Sequence, residues 1–159
     1  MSIDRTVIGS HTPPQTLLIT RSRLRAFAKA TGQRDPEYLD VAAANAAGHP
    51  DLPVPPTFLF GIELEAPDPF AYLAELGVDL RRVLHGEQSF EYHRMAFAGE
   101  ELTARSTIVD VYDKKGGLLD FIVRETEVSD ADGARVATLR SSIVVQNPVA
   151  EGRREQAAS

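Results

Sequence analysis

The sequence predicts an α+β domain, a helical and proline-rich first half followed by an antiparallel sheet. Three observations predict it. Leu24, Phe27, Ala28 and Thr31 stand at i, i+3, i+4 and i+7, one buried face of a helix. From Val83 onward the period changes to two, across four long runs. The chain has 159 residues, 43% apolar and 25% charged, which suits one globular core and excludes gross disorder.

The elements follow in order. Thr16–Ile19 (TLLI) is a short apolar run that reads as a strand. Thr20 and Ser22 offer hydroxyls to cap the helix that follows, and Gly32 stops it. After the turn QRDPEYLD comes a short alanine-rich helix, Val41–Ala47, closed by Gly48. His49–Pro56 (HPDLPVPP) has four prolines in eight residues and is expected to be stiff and extended. Thr57–Leu64 (TFLFGIEL) is apolar nearly all round, the pattern of a helix buried at the centre of a fold. Phe70–Leu76 reads as a further short amphipathic helix. The strands are Leu84–His93, Glu101–Tyr112, Leu118–Val128 and Arg135–Val145. Asp113–Gly117 and Ser129–Gly133 join the last three as hairpins, with glycine where positive φ is needed. In the last strand Ala137, Leu139, Ser141, Ile143 and Val145 share one face. The Thr57–Leu64 helix is the natural cover for that sheet, and the exposed edges of so long a sheet point to a dimer. The domain is expected over residues 1–148, with a polar tail over 149–159.

Composition narrows the function. The net charge of −6 and pI near 5.2 argue against nucleic acid, and no polybasic stretch suits anionic lipid. No apolar run reaches membrane-spanning length, and MSIDRTVIGSH lacks the pattern of a signal peptide. Without cysteine, disulfides, thiol chemistry and cysteine-held metals are excluded. There is no HExxH and no histidine pair at ligand spacing, so neither metal nor cofactor is expected. His49, alone in a stiff loop, reads as a surface group. A cytoplasmic protein acting on a small molecule or on another protein remains.

The order of parts resembles the hot-dog fold of the MaoC-like hydratases and dehydratases. The carrying pieces are RLRAFAKATGQRDPEYLD, LPVPPTFLF and HGEQSFEYHRMAFAGEEL, over nearly the whole chain from Ile8 to Val145. The resemblance is to the MaoC N-terminal dehydratase group, which includes non-catalytic-type subunits of (3R)-hydroxyacyl-ACP dehydratases. It implies a sheet wrapped around the Thr57–Leu64 helix. It also implies an acyl-CoA or acyl-carrier-protein thioester as substrate, and a homodimer or a heterodimer with a related subunit. Active members carry a pattern like G-D-x-N-P-x-H, whose Asp and His act as base and acid. Here the turn is Gly32-Gln33-Arg34-Asp35-Pro36-Glu37-Tyr38. Gln33 stands for the Asp and Tyr38 for the His, so the turn is matched and the two proton-transfer groups are not. Glutamine takes no proton near neutral pH, and tyrosine titrates near 10.

Several residues keep two readings. His85 and Glu87, two apart on one strand, are expected on one face with Ser89, Glu91 and His93. They form either an acid–base couple or a solvated polar strip. Gln88, Phe90 and Tyr92 face the other way, the aromatics toward the central helix and Gln88 at the rim of a tunnel. Asp35 is either a displaced base or a cap ahead of Pro36. Tyr38 lines a pocket, donates a hydrogen bond or packs. Pro56, Thr57 and Phe58 open the central helix. In the resembling family, amides at this point hold the thioester carbonyl, and ordinary capping by Thr57 is the alternative. Three functions follow: a MaoC-like dehydratase or enoyl hydratase component, an acyl-binding subunit with no chemistry of its own, and a hot-dog thioesterase.

Overall fold

The computed structural model describes residues 3–148; the expected tail over 149–159 lies outside them. The TLLI run forms β1, Gln15–Leu18. Helix α1 spans Arg21–Thr31. Thr20 caps it, its hydroxyl accepting from the Arg23 amide, and Gly32 ends it at φ 74°. Leu24 and Ala28 are its fully buried positions and Phe27 is half-buried, whereas Thr31, expected on the same face, is exposed in the last turn. Asp40 caps the six-residue α2, Val41–Ala46. Helix α3 covers Ala71–Glu75.

The four long strands are β2 (Val83–Tyr92), β3 (Glu101–Lys114), β4 (Leu119–Asp130) and β5 (Arg135–Gln146). With β1 they form one antiparallel sheet in the order β1-β3-β4-β5-β2. Three rows of directly opposed residues run along the inner face of β3, β4, β5 and β2. They are Ala104–Val128–Ala137–Tyr92, Ser106–Thr126–Leu139–Phe90 and Ile108–Arg124–Ser141–Gln88. β2 lies at the edge, pairs only with β5, and is largely exposed.

The central segment departs from expectation. Phe58–Glu65 is a 3-10 helix, not an α-helix, and Thr57 precedes it at φ 71°. A 3-10 helix rises about 2 Å per residue, so eight residues span roughly 16 Å rather than roughly 12 Å. Its tighter winding stacks i and i+3, and Leu59 and Ile62 form the buried row. Phe58, Leu59 and Ile62 pack with Leu24 of α1 and with Leu102, Val128 and Leu139 of the sheet. The sheet thus wraps its most apolar segment, as the resemblance implies. A second cluster joins Leu73 and Val78 to Ile108, Val111, Ile122 and Val145. No helix among the described residues is long and apolar enough to cross a membrane.

Candidate functional site

The degenerate turn closes on itself. The Gln33 side-chain oxygen accepts from the Arg34 amide at 2.8 Å and from the Asp35 amide at 3.1 Å. Its acceptor is therefore spent on holding the loop. Asp35 is exposed and begins the 3-10 turn Pro36–Tyr38 without a side-chain capping bond; the expected cap is not made through its carboxylate. Tyr38 lines a cavity of about 320 Å³ with Val54, Pro56, Leu59, Tyr92 and Val136. Burial, then Glu37 and Asp35, raise its phenol above the ordinary value, so Tyr38 stays a neutral hydrogen-bond donor near neutral pH. His49 sits beside this turn, 3.6 Å from a Glu37 oxygen and against Phe97.

The amino end of the central segment is not open. The Thr57 amide donates to the Tyr92 hydroxyl at 2.9 Å, and the Phe58 amide to the Pro55 carbonyl at 3.2 Å. Thr57 makes no side-chain cap either. Both amides expected to grip a carbonyl are thus engaged. Thr57 stands in the left-handed region at φ 71°, and its N–H meets the Tyr92 side chain of β2. Tyr92→Phe is expected to cost about 0.5–1.5 kcal/mol, the worth of one net hydrogen bond, read as a lower urea midpoint at unchanged slope.

Arg94 also borders this cavity, but its guanidinium is committed. It donates to Glu100 and Asp130 at 2.7 Å each and to the Met95 carbonyl. The hydrogen bond to Glu100, above all, holds Arg94 above its ordinary pKa, and Arg94 in turn holds the Asp130 carboxyl low.

His85 and Glu87 do not share a face. A β-bulge interrupts the ladder between them, so His85 opposes Ile143 and Glu87 opposes Ser142. Gly86 is the extra residue. A Cβ there would stand 2.8 Å from Val144 Cγ2 and 3.1 Å from the Ser142 carbonyl oxygen, so the bulge requires glycine. His85 therefore turns inward, edge-on to Phe60 at 5.3 Å, and its Nε2–H donates to the Glu87 carbonyl at 3.1 Å. Glu87 stays outside with Ser89, Asp110 and Arg140 around a surface groove. The expected couple is separated by the thickness of the sheet. Gln88, Phe90 and Tyr92 do face inward, past the bulge, and the two aromatics stack at 5.9 Å. Gln88 lies beside Ser141, with its Oε1 buried and without a partner.

His85 lines a second and larger cavity, about 420 Å³, between the central segment and the β5–β2 end of the sheet. Phe60, Val83 and Ile143 line its walls, and Leu64, Phe70 and Leu80, each about half exposed, stand at its mouth. Arg124 reaches into it from the inner face, salt-bridged to Glu63 at 2.7 Å and stacked over the Tyr72 ring at 4.4 Å. The Thr126 hydroxyl donates to the other Glu63 oxygen at 3.2 Å and lies 3.1 Å from the Ser106 hydroxyl, from which it can accept. Sequence reading missed this network. Its signal was present: Ile122, Arg124, Thr126 and Val128 share one parity, which places an arginine on the apolar face of β4, opposite a lone Glu63 in the apolar segment.

Among the described residues, then, the structure brings Tyr38 and Pro56 to one cavity and His85 to the other, and leaves Gln33, Asp35 and Glu87 apart from both linings. Comparison with known proteins sets this geometry in context. A UPF0336 protein of Streptomyces coelicolor is 37% identical over 147 residues, 92% of this chain and 97% of that one. In fold the chain resembles the C-terminally truncated HadBC (3R)-hydroxyacyl-ACP dehydratase complex of Mycobacterium tuberculosis, with a TM-score of 0.74 at 22% identity, covering 90% of this chain and 99% of that one. A MaoC-like dehydratase gives a TM-score of 0.78 at 24% identity, over 94% of this chain and 46% of that one. The model of the family described as "FAS1-like, dehydratase domain region" matches residues 6–139. The chain therefore belongs to the FAS1-like dehydratase-region family and carries the MaoC-like hot-dog fold.

Proposed function

We propose that the chain is the acyl-binding subunit of a (3R)-hydroxyacyl-thioester dehydratase, working on acyl-CoA or acyl-carrier protein beside a second hot-dog subunit that supplies the acid and base. Dehydration removes the C2 proton and expels the C3 hydroxyl as water, so it needs a base and an acid poised over one substrate. The observation that carries the reading is their separation here. Gln33 is bound into its own turn, Asp35 is exposed, and His85 and Glu87 lie on opposite faces of the sheet. What the chain retains is apolar room beside the central segment. Tyr92 occupies the Thr57 amide, where the family would place a carbonyl. The exposed edge of β2 suits pairing with a second sheet, and the HadBC dehydratase of similar fold is itself a complex.

The purified chain is expected to leave the absorbance of crotonyl-CoA and longer 2-enoyl-CoAs unchanged and to release no thiol. Enoyl loss should begin when a hot-dog subunit with the intact Asp/His motif is added. Enoyl loss by the lone chain would overturn the proposal, and thiol release would identify a thioesterase. One observation favours a second reading, a lone-chain hydratase: His85 faces the larger apolar cavity. On that reading His85→Ala abolishes a lone-chain activity that the first reading does not expect at all.

A further inference from the structure

Two cavities meet back to back across one wall. The first is the apolar cavity of about 420 Å³. The second, about 270 Å³, lies beyond it toward β1 and α3, and presents polar groups that include His11, Thr12, Gln15, Asp68 and Glu75. Four residues line both: Glu63, Pro69, Tyr72 and Arg124. Glu63 comes from the central segment, Tyr72 from α3 and Arg124 from the inner face of β4, so three separate elements close the partition. The Arg124 side chain is 10% exposed and that of Glu63 16%. Each is held from a further direction, Arg124 by the Tyr72 ring and Glu63 by the Thr126 hydroxyl.

Resting on the acyl-binding reading above, we infer that the Glu63–Arg124 pair with Tyr72 is the end wall of the acyl cavity and sets the longest chain the subunit accommodates. An alkyl chain entering between Leu64, Phe70 and Leu80 gains by burial along Phe60, Val83 and Ile143. At Arg124 the gain stops, because a further methylene must break or desolvate a paired charge. Beyond the wall the second cavity carries apolar lining from Pro13, Ala66, Ala71 and Ala104 beside its polar groups, so the wall itself denies an alkyl chain that space. Stability alone does not account for the pair, since a buried ion pair is often matched or bettered by apolar side chains of similar volume.

The test is calorimetric titration of the full chain with straight-chain acyl-CoAs from octanoyl to stearoyl. Glu63→Ala/Arg124→Ala removes both charges together and opens the wall. Its affinity for stearoyl- relative to decanoyl-CoA is expected to rise by roughly tenfold for every two methylenes newly buried. Glu63→Leu/Arg124→Met keeps the space filled but removes the cost of desolvating a paired charge, and is expected to raise that ratio by less than the double alanine variant does. Should the double alanine variant not fold, Tyr72→Ala thins the same wall with the ion pair in place and is read by the same ratio. A folded, opened variant with an unchanged ratio overturns the end wall and leaves acyl binding standing. A wild-type chain that binds none of the series overturns the acyl-binding reading, and the wall with it.

Discussion

Arg124→Ala is expected to destabilise the protein by about 3–5 kcal/mol, because it leaves the Glu63 carboxylate buried without its partner. For a domain of this size that lowers the melting temperature by roughly 10 °C or more. The loss comes from stranding a charge, so removing the pair together must behave differently. Glu63→Leu/Arg124→Met is expected to lie within about 1–2 kcal/mol of wild type, since both desolvation costs vanish with the charges. The comparison forms a cycle between residues in contact, where non-additivity is the informative quantity. Thermal melts of the single and double variants check it. A single variant as stable as wild type would mean that water reaches Glu63 freely.

Ile62→Ala is the second large effect, about 2–5 kcal/mol. Ile62 is fully buried in the central segment, packed in the cluster that joins α1 to the sheet. Truncation leaves a cavity that a sheet curled on a rigid 3-10 segment cannot easily collapse into. Leu64, two residues on and 46% exposed at the mouth of the larger cavity, is expected to tolerate alanine within about 0.5 kcal/mol. Equilibrium urea unfolding of both variants separates core from rim. Equal losses at the two positions would place the segment differently from the fold described above.

Much of this architecture was legible in the residue order. Alternation with glycine at the hairpins located β3, β4 and β5, and the Thr20 cap, helical spacing and Gly32 located α1. Three features escaped for separate physical reasons. TFLFGIEL is apolar on every side, so its pattern carries no phase that could tell three residues per turn from 3.6. Pro55 and Pro56 ahead of it and Gly61 within it were the available hints. Gly86 in a strand pattern was a bulge signal, and passing over it put His85 on the wrong face while leaving Phe90 and Tyr92 on the right one. The Glu63–Arg124 contact joins residues far apart in the chain, which no local period encodes. The candidate site was legible as a turn that lacks its proton-transfer groups. The hydroxyl that covers the Thr57 amide was not, because it depends on a left-handed residue and a side chain from another strand.

The bulge at Gly86 has an arithmetic consequence for how β2 tolerates changes of length. His85 opposes Ile143 and Glu87 opposes Ser142, so the ladder counts the two as adjacent and Gly86 as supernumerary. Deleting that single residue would leave both halves of the strand in their present orientation and merely straighten it. Losing Leu84 or any residue from Gln88 to Glu91 would instead exchange inside for outside across part of the strand, because side-chain parity is strictly two. Length variation in β2 is thus confined by geometry to one codon's worth of chain, at the point where the strand bends beside the mouth of the larger cavity.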